Sequence, residues 1–226
     1  MKKSQLTKEQ KKWLDSCIGW APRLGMEGSQ MRTSDQYRWD YDEDSGEVTI
    51  WGSFDCSGQG LNDFKGVKFA YVSGSFNCSK NALINIDGAP RIVDGDFDCS
   101  YNQISRIEGK YKIGGTRHGF GKFNCSHNKL ESLSGASFYG LVFDFSHNLL
   151  PNLKGADITL HVPFNSDESY YYVDSTIYLV GNKFKTHPKL PKGIKYDHNI
   201  SCVKRSKKPD IIIGYSSRPF IMPIYL

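Results

Sequence analysis

The sequence predicts a mainly β solenoid of about six to seven rungs, with a parallel sheet on one face, an N-terminal helical cap and a C-terminal cap and tail. Three observations carry this expectation. A short segment recurs along the chain, as GSFDCSGQ at Gly52, GSFNCSKN at Gly74, GDFDCSYN at Gly95 and GKFNCSHN at Gly121. The composition, with 13 Tyr, 13 Phe and 22 Gly, favours strands and turns over a helical bundle. At 226 residues the chain is long enough to bury one continuous core.

Aligning the copies on the cysteine places Cys56, Cys78, Cys99 and Cys125 in one slot, followed by Phe145, Leu179 and, in a weaker copy IKYDHN, Tyr196. Two positions earlier stand Phe54, Phe76, Phe97, Phe123, Phe143, Ile177 and Ile194. A period of two puts both side chains on one face of a short strand. Three positions after the slot come Gln59, Asn81, Asn102, Asn128, Asn148, Asn182 and Asn199. An amide at a fixed turn position can bond backbone groups of the neighbouring rung that a tight bend leaves unpaired. Two further apolar slots run through Leu61, Leu83, Ile104, Leu130, Leu150 and Phe184 and through Phe64, Ile86, Ile107, Leu133 and Leu153. They continue the inward face around the turn. A glycine then closes each unit, at Gly66, Gly88, Gly109, Gly135 and Gly155, where positive φ or a close approach is needed. One unit cannot bury its apolar face alone, whereas stacked units can.

The pattern F-x-C-S-x-N-x-L-x-x-I resembles the leucine-rich repeat, L-x-L-x-x-N-x-L-x-x-L, with Phe and Cys in place of the first two leucines. Its GxFxCSxNxLxxLxGAP units look like a divergent short-repeat kind found in bacterial and tailed-phage proteins. The resemblance covers residues 48–200. It implies a sheet on one side and a non-enzymatic, protein-binding role, while the Phe/Cys strand, the short helix-free convex side and the two insertions depart from the family average. It further implies a phage-encoded protein that binds and masks or inhibits a host protein in the host cytoplasm.

The organisation that follows is an N-terminal helix and capping segment over 1–47, the repeat over 48–200, and a basic loop with an apolar cap over 201–226. Thr7-Lys8-Glu9-Gln10 is a capping-box pattern that opens a helix containing Trp13, Leu14 and Cys17. IIIGYSSRPFIMPIYL, residues 211–226, is apolar enough to cover the last rung. Slot spacings of 22, 21, 26, 20, 34 and 17 place insertions at 113–122 and 156–176. Insertions in repeat arrays map to loops and often serve binding. Arg117 and His118 in the first, and Tyr170, Tyr171 and Tyr172 in the second, are therefore candidate partner contacts.

The net charge of +5 belongs to the ends: residues 1–15 carry +3, residues 189–226 carry +6, and the middle is about −4. The main body is thus a poor phosphate-binding surface. An alternative reading has nucleic acid bound through the termini, by Lys2, Lys3, Lys8, Lys11 and Lys12 with Lys204, Arg205, Lys207 and Lys208. A further alternative is a structural component of a larger assembly. No apolar run approaches the roughly 18 residues of a membrane span, and the start lacks an apolar leader segment, so a cytoplasmic chain with no membrane partner is expected.

The chemical readings of the repeat are weaker. Zinc needs about four converging ligands, whereas a stacked slot lays its cysteines in a line and accepts Phe145 and Leu179 as well. Core packing is the expected role, with no metal and no cofactor. His127, His147 and His198 share a slot with Lys80, Tyr101 and Gly181, which reads as a tolerant exposed turn. GGTRHGFGK lacks the second glycine and the Ser/Thr of a phosphate loop. No nucleophile–base arrangement stands out, so no catalytic residue is assigned. The exposed strand face is the better candidate. Asp55, Asn77, Asp98, Asn124 and Asp144, followed by Ser57, Ser79, Ser100, Ser126 and Ser146, should form a polar, mildly acidic strip. Alternating acid and amide keeps like charges off adjacent strands.

Overall fold

A computed structural model describes residues 5–18, 39–114, 121–160 and 176–184, together with the backbone of three later strands at 194–196, 210–215 and 218–223. The chain opens with α1 (Lys8–Cys17), whose N-cap Thr7 forms both arms of a capping box. The Gln10 N–H donates to Thr7 Oγ1 at 3.2 Å and the Thr7 N–H to Gln10 Oε1 at 2.8 Å. Trp13, Leu14 and Cys17 form its buried face.

Short strands follow: β1 (Trp39–Asp42), β2 (Glu47–Ile50), β3 (Phe54–Asp55), β4 (Lys68–Val72), β5 (Phe76–Asn77), β6 (Ile92–Val93), β7 (Phe97–Asp98) and β8 (Gly109–Ile113). They continue as β9 (Lys122–Asn124), β10 (Ala136–Gly140), β11 (Val142–Asp144), β12 (Asp157–Leu160), β13 (Thr176–Tyr178), β14 (Ile194–Tyr196), β15 (Asp210–Tyr215) and β16 (Arg218–Pro223). Two open sheets result. The first runs β3-β5-β7-β9-β11-β13-β15-β16 and the second β1-β2-β4-β6-β8-β10-β12-β14. Pairing is parallel throughout except at the hairpins β1–β2 and β15–β16. The protein is mainly β, with α1 as the one helix among the described residues.

The core lies between the sheets. In the first sheet Phe54, Phe76, Phe97, Phe123, Phe143 and Ile177 pair in register, and each is buried. Their rings meet inward residues of the second sheet, as in Phe54–Phe69 at 5.0 Å and Phe123–Phe138 at 5.1 Å. Each such ring removed from water contributes about 1.5–3 kcal/mol. The cysteine slot and the two leucine slots are buried as well.

Four sequence expectations are corrected. The sheet expected on one face is two sheets, because stretches such as GKYKI, ASFYG and DITL also alternate inward and outward residues. Ile194–Tyr196, expected as a further copy in the first sheet, pairs instead with β12 through Ile158↔Ile194. The first sheet continues with β15 through Ile177↔Ile211, and β15 is doubled by the antiparallel β16 along its full length. The insertions are also shorter than expected. Ile113 is a buried strand end and β9 starts at Lys122, while Ala156 is buried and Asp157–Leu160 is strand, so the added chain lies within 114–121 and 161–175. The fourth correction concerns the serines and belongs to the polar strip.

Candidate interaction surface

The amide slot fastens the repeat. Asn128 Nδ2 donates to the Cys99 carbonyl of the preceding unit at 3.0 Å and to Cys125 and Ser126 of its own at 3.2 Å. Its Oδ1 accepts from the Ile104 N–H at 3.0 Å. Asn81, Asn102, Asn148 and Asn182 repeat this use of the neighbouring backbone. In the first copy Gln59 replaces Asn and reaches the helix, accepting from Trp13 Nε1 at 2.9 Å.

The sequence-predicted strip forms one column on the outer face of the first sheet, with Asp55↔Asn77↔Asp98↔Asn124↔Asp144 in register. Every member has a local task. Its Oδ1 accepts the N–H of the serine two residues on, in Asp55–Ser57, Asn77–Ser79, Asp98–Ser100, Asn124–Ser126 and Asp144–Ser146. Asp and Asn share that acceptor, which is why both suit the slot. The alternation has a second use: Asn77 donates to Asp55 and Asn124 to Asp98, each at 3.2 Å. Asp144 receives Lys122 Nζ at 2.8 Å, and the same ammonium lies 5.6 Å from the Tyr178 ring centroid. The serines were expected on the strip's surface, yet Ser79, Ser100, Ser126 and Ser146 are buried. The bend closed by the Asp or Asn turns them inward.

The slot before the amide is more constrained than a tolerant turn. Lys80, Tyr101, His127 and His147 all have φ between 54° and 57°, and the same slot holds Gly58 and Gly181. Three of the side chains stack: Tyr101–His127 at 4.2 Å and His127–His147 at 4.3 Å between centroids. Burial and then the charge of His147 lower the His127 pKa, against an opposing pull from Asp144.

The cysteines of the repeat are buried free thiols. Burial pushes the Cys78 and Cys99 thiols well above their ordinary value, and the flanking cysteines and Asp98 push the same way. They are core groups, unsuited to nucleophilic work at neutral pH.

Arg117, His118, Tyr170, Tyr171, Tyr172, Lys204, Arg205, Lys207 and Lys208 lie outside the described residues, as do Lys2 and Lys3; Lys8, Lys11 and Lys12 are exposed on α1. Sequence reading missed a second surface, the outer face of the second sheet. There Arg91, Lys110 and Lys112 border a groove of about 390 Å³. Residues from several repeats meet in it, so no fixed slot announces it.

Fold and surface define a mainly β protein of two parallel-rich sheets. No family model, curated protein or solved structure matches the chain. Among the described residues, no helix is long and apolar enough to cross a membrane.

Proposed function

We propose that the protein is a non-enzymatic binding scaffold, a solenoid of the leucine-rich-repeat kind that occupies or masks a surface of another protein. The observation that carries this reading is where the repeat is broken. One interruption leaves the second sheet after Ile113 and re-enters the first at Lys122; the other leaves after Leu160 and re-enters at Thr176. Both therefore emerge at the same corner of the unit, between a second-sheet strand and the next first-sheet strand. A stack whose repeat is interrupted twice at the same strand-to-strand junction suits partner recognition. Arg117, His118 and Tyr170 to Tyr172 belong to these interruptions and are the proposed contacts. The column from Asp55 to Asp144 has its polar atoms engaged within the ladder, so it serves mainly as scaffold. The resemblance extends the proposal to a phage-encoded inhibitor acting on a host protein.

Affinity capture from a host lysate tests this. Tagged wild-type protein should retain a specific host protein, and replacing Tyr170, Tyr171 and Tyr172 together by Ala should lower its recovery without changing the melting temperature. Equal recovery would remove the tyrosines from the interface, and no specific partner in any host extract would remove the function.

A further inference from the structure

We infer that the outer face of the second sheet docks an extended, acidic polypeptide segment bearing apolar side chains. This deepens the protein-binding reading and rests on it. The groove of about 390 Å³ and a second of about 220 Å³ meet at Arg91, which lines both, and together they are the proposed trough. Four exposed cations border it: Lys68, Arg91, Lys110 and Lys112. Among the described residues no carboxylate pairs with the three lysines. Lys122 and Arg106, by contrast, each have such a partner. These cations stand on the part of the chain whose net charge is about −4, so they are a local feature rather than an overflow of basic character. Among the described residues, the only carboxylates lining the two grooves are Glu47 in the smaller and Asp157 in the larger, and Asp157 already accepts from Ser137.

The occupant must also satisfy an apolar demand. Ile92 is 42% exposed and stands in register with Lys112, placing an uncovered apolar side chain among the cations. A bare phosphate would leave it wet. Single-stranded nucleic acid would need free ring faces on which to stack bases. Here Tyr111 is buried in the core, with the Arg91 guanidinium over it at 4.7 Å, and on the outer face Lys112 Nζ is 6.0 Å from the Tyr139 centroid. The Arg91 side chain is held further by donating to the Glu108 carbonyl at 2.6 Å. Tyr111 is thus out of reach of a base, and the Tyr139 ring has a cation beside it. An extended peptide alternating acidic and apolar residues presents carboxylates to the rim and hydrocarbon to Ile92.

Fluorescence anisotropy of the full chain with a labelled synthetic peptide of alternating Glu and Leu tests this. A Lys/Leu peptide of equal length and an oligo-dT strand serve as comparators. The Glu/Leu peptide should bind saturably and more weakly as salt rises. Reversing Lys110→Glu with Lys112→Glu should weaken it at least about tenfold with no change in melting temperature, since both side chains are exposed. Ile92→Ser should weaken it as well. Unchanged affinity in the charge-reversed variant overturns the proposal. So does oligo-dT that binds more tightly than the peptide and is lost on the same reversal. In host-lysate capture, equal recovery of one protein by wild type and by this variant overturns the trough but leaves the protein-binding reading standing. No captured protein at all overturns both.

Discussion

Asn128 shows how much one side chain secures in this chain. Its amide meets three carbonyl oxygens and its oxygen meets one N–H, all buried between two adjacent units. Asn128→Ala leaves those groups without water or partner, and orphaned buried groups cost about 1–3 kcal/mol each, so a loss of about 2–4 kcal/mol in urea unfolding is expected. Asn128→Asp keeps the shape but turns a donor into an acceptor facing carbonyls, and should be at least as damaging at neutral pH. The ring column behind the amides balances two effects. Left-handed φ costs a residue with a Cβ about 1–2 kcal/mol, while each stacked pair contributes about 0.5–1.5 kcal/mol. His127→Ala keeps the φ and loses both stacks, and should destabilise clearly. His127→Gly loses the stacks but relieves the backbone, and should lie near wild type; equal losses in the two variants would show that no strain is stored there. The column also makes stability depend on pH. His127 has a folded pKa below its unfolded value, through burial and then the His147 charge. Its contribution is therefore complete above the ordinary imidazole value of about 6.5 and is lost as pH falls below it through the folded value. The urea midpoint should drop between about pH 7.5 and pH 5, and His147→Phe, which keeps a ring but removes the repelling charge, should shrink that drop.

At the scale of elements, the helix start and the first sheet were legible because hydrogen bonding restricts the allowed residues. Thr7 and Gln10 are fixed by their reciprocal bonds, so Thr7→Ala should cost about 1 kcal/mol in thermal or urea unfolding. The Phe, Cys and Asn slots were legible for a related reason: each combines burial with a geometric task, and the repeat keeps the letter. The second sheet has no such task. Tyr111, Phe138 and Ile158 need only volume and alternation, so GKYKI, ASFYG and DITL share a pattern but no letter. IKY at 194–196 was misplaced because three alternating residues fit a strand of either sheet. At the candidate surface, the period of two put Asp55 through Asp144 on one face. Their role in bending the chain toward the buried serines depends on i to i+2 bonds that only coordinates reveal. The trough was illegible for a different reason: Arg91 and Lys112 share a repeat position, but Lys68 stands one place before it and Lys110 two, so no single slot carries the basic residue from unit to unit. The free cysteines were read correctly as packing groups, and Cys78 and Cys99 should resist iodoacetamide in native protein and react fully once it is unfolded, as intact mass would show.

Across the whole molecule, each unit bonds chiefly to the units before and after it, as in Cys56 N–H to Asn77, Cys78 N–H to Asp98 and Cys99 N–H to Asn124. In such an array stability is approximately a sum of unit and neighbour-interface contributions, so damage at one end should fade with distance. The N-terminal end offers the cleanest test. Trp13 packs edge-on against Phe54 at 5.5 Å and against Phe69 at 6.4 Å, and it bonds Gln59. Trp13→Ala removes a cover from the first apolar layer, a change that costs about 3–5 kcal/mol where the cavity stays unfilled. Hydrogen exchange followed by mass spectrometry should show faster exchange at the Cys56 and Gly58 amides of the first unit, whose acceptors lie in the second. The Cys125 and Phe145 amides, several units away, should keep their protection. Uniform acceleration along the chain would instead mean that the two sheets open as one cooperative body, with coupling through the core outweighing the nearest-neighbour ladder.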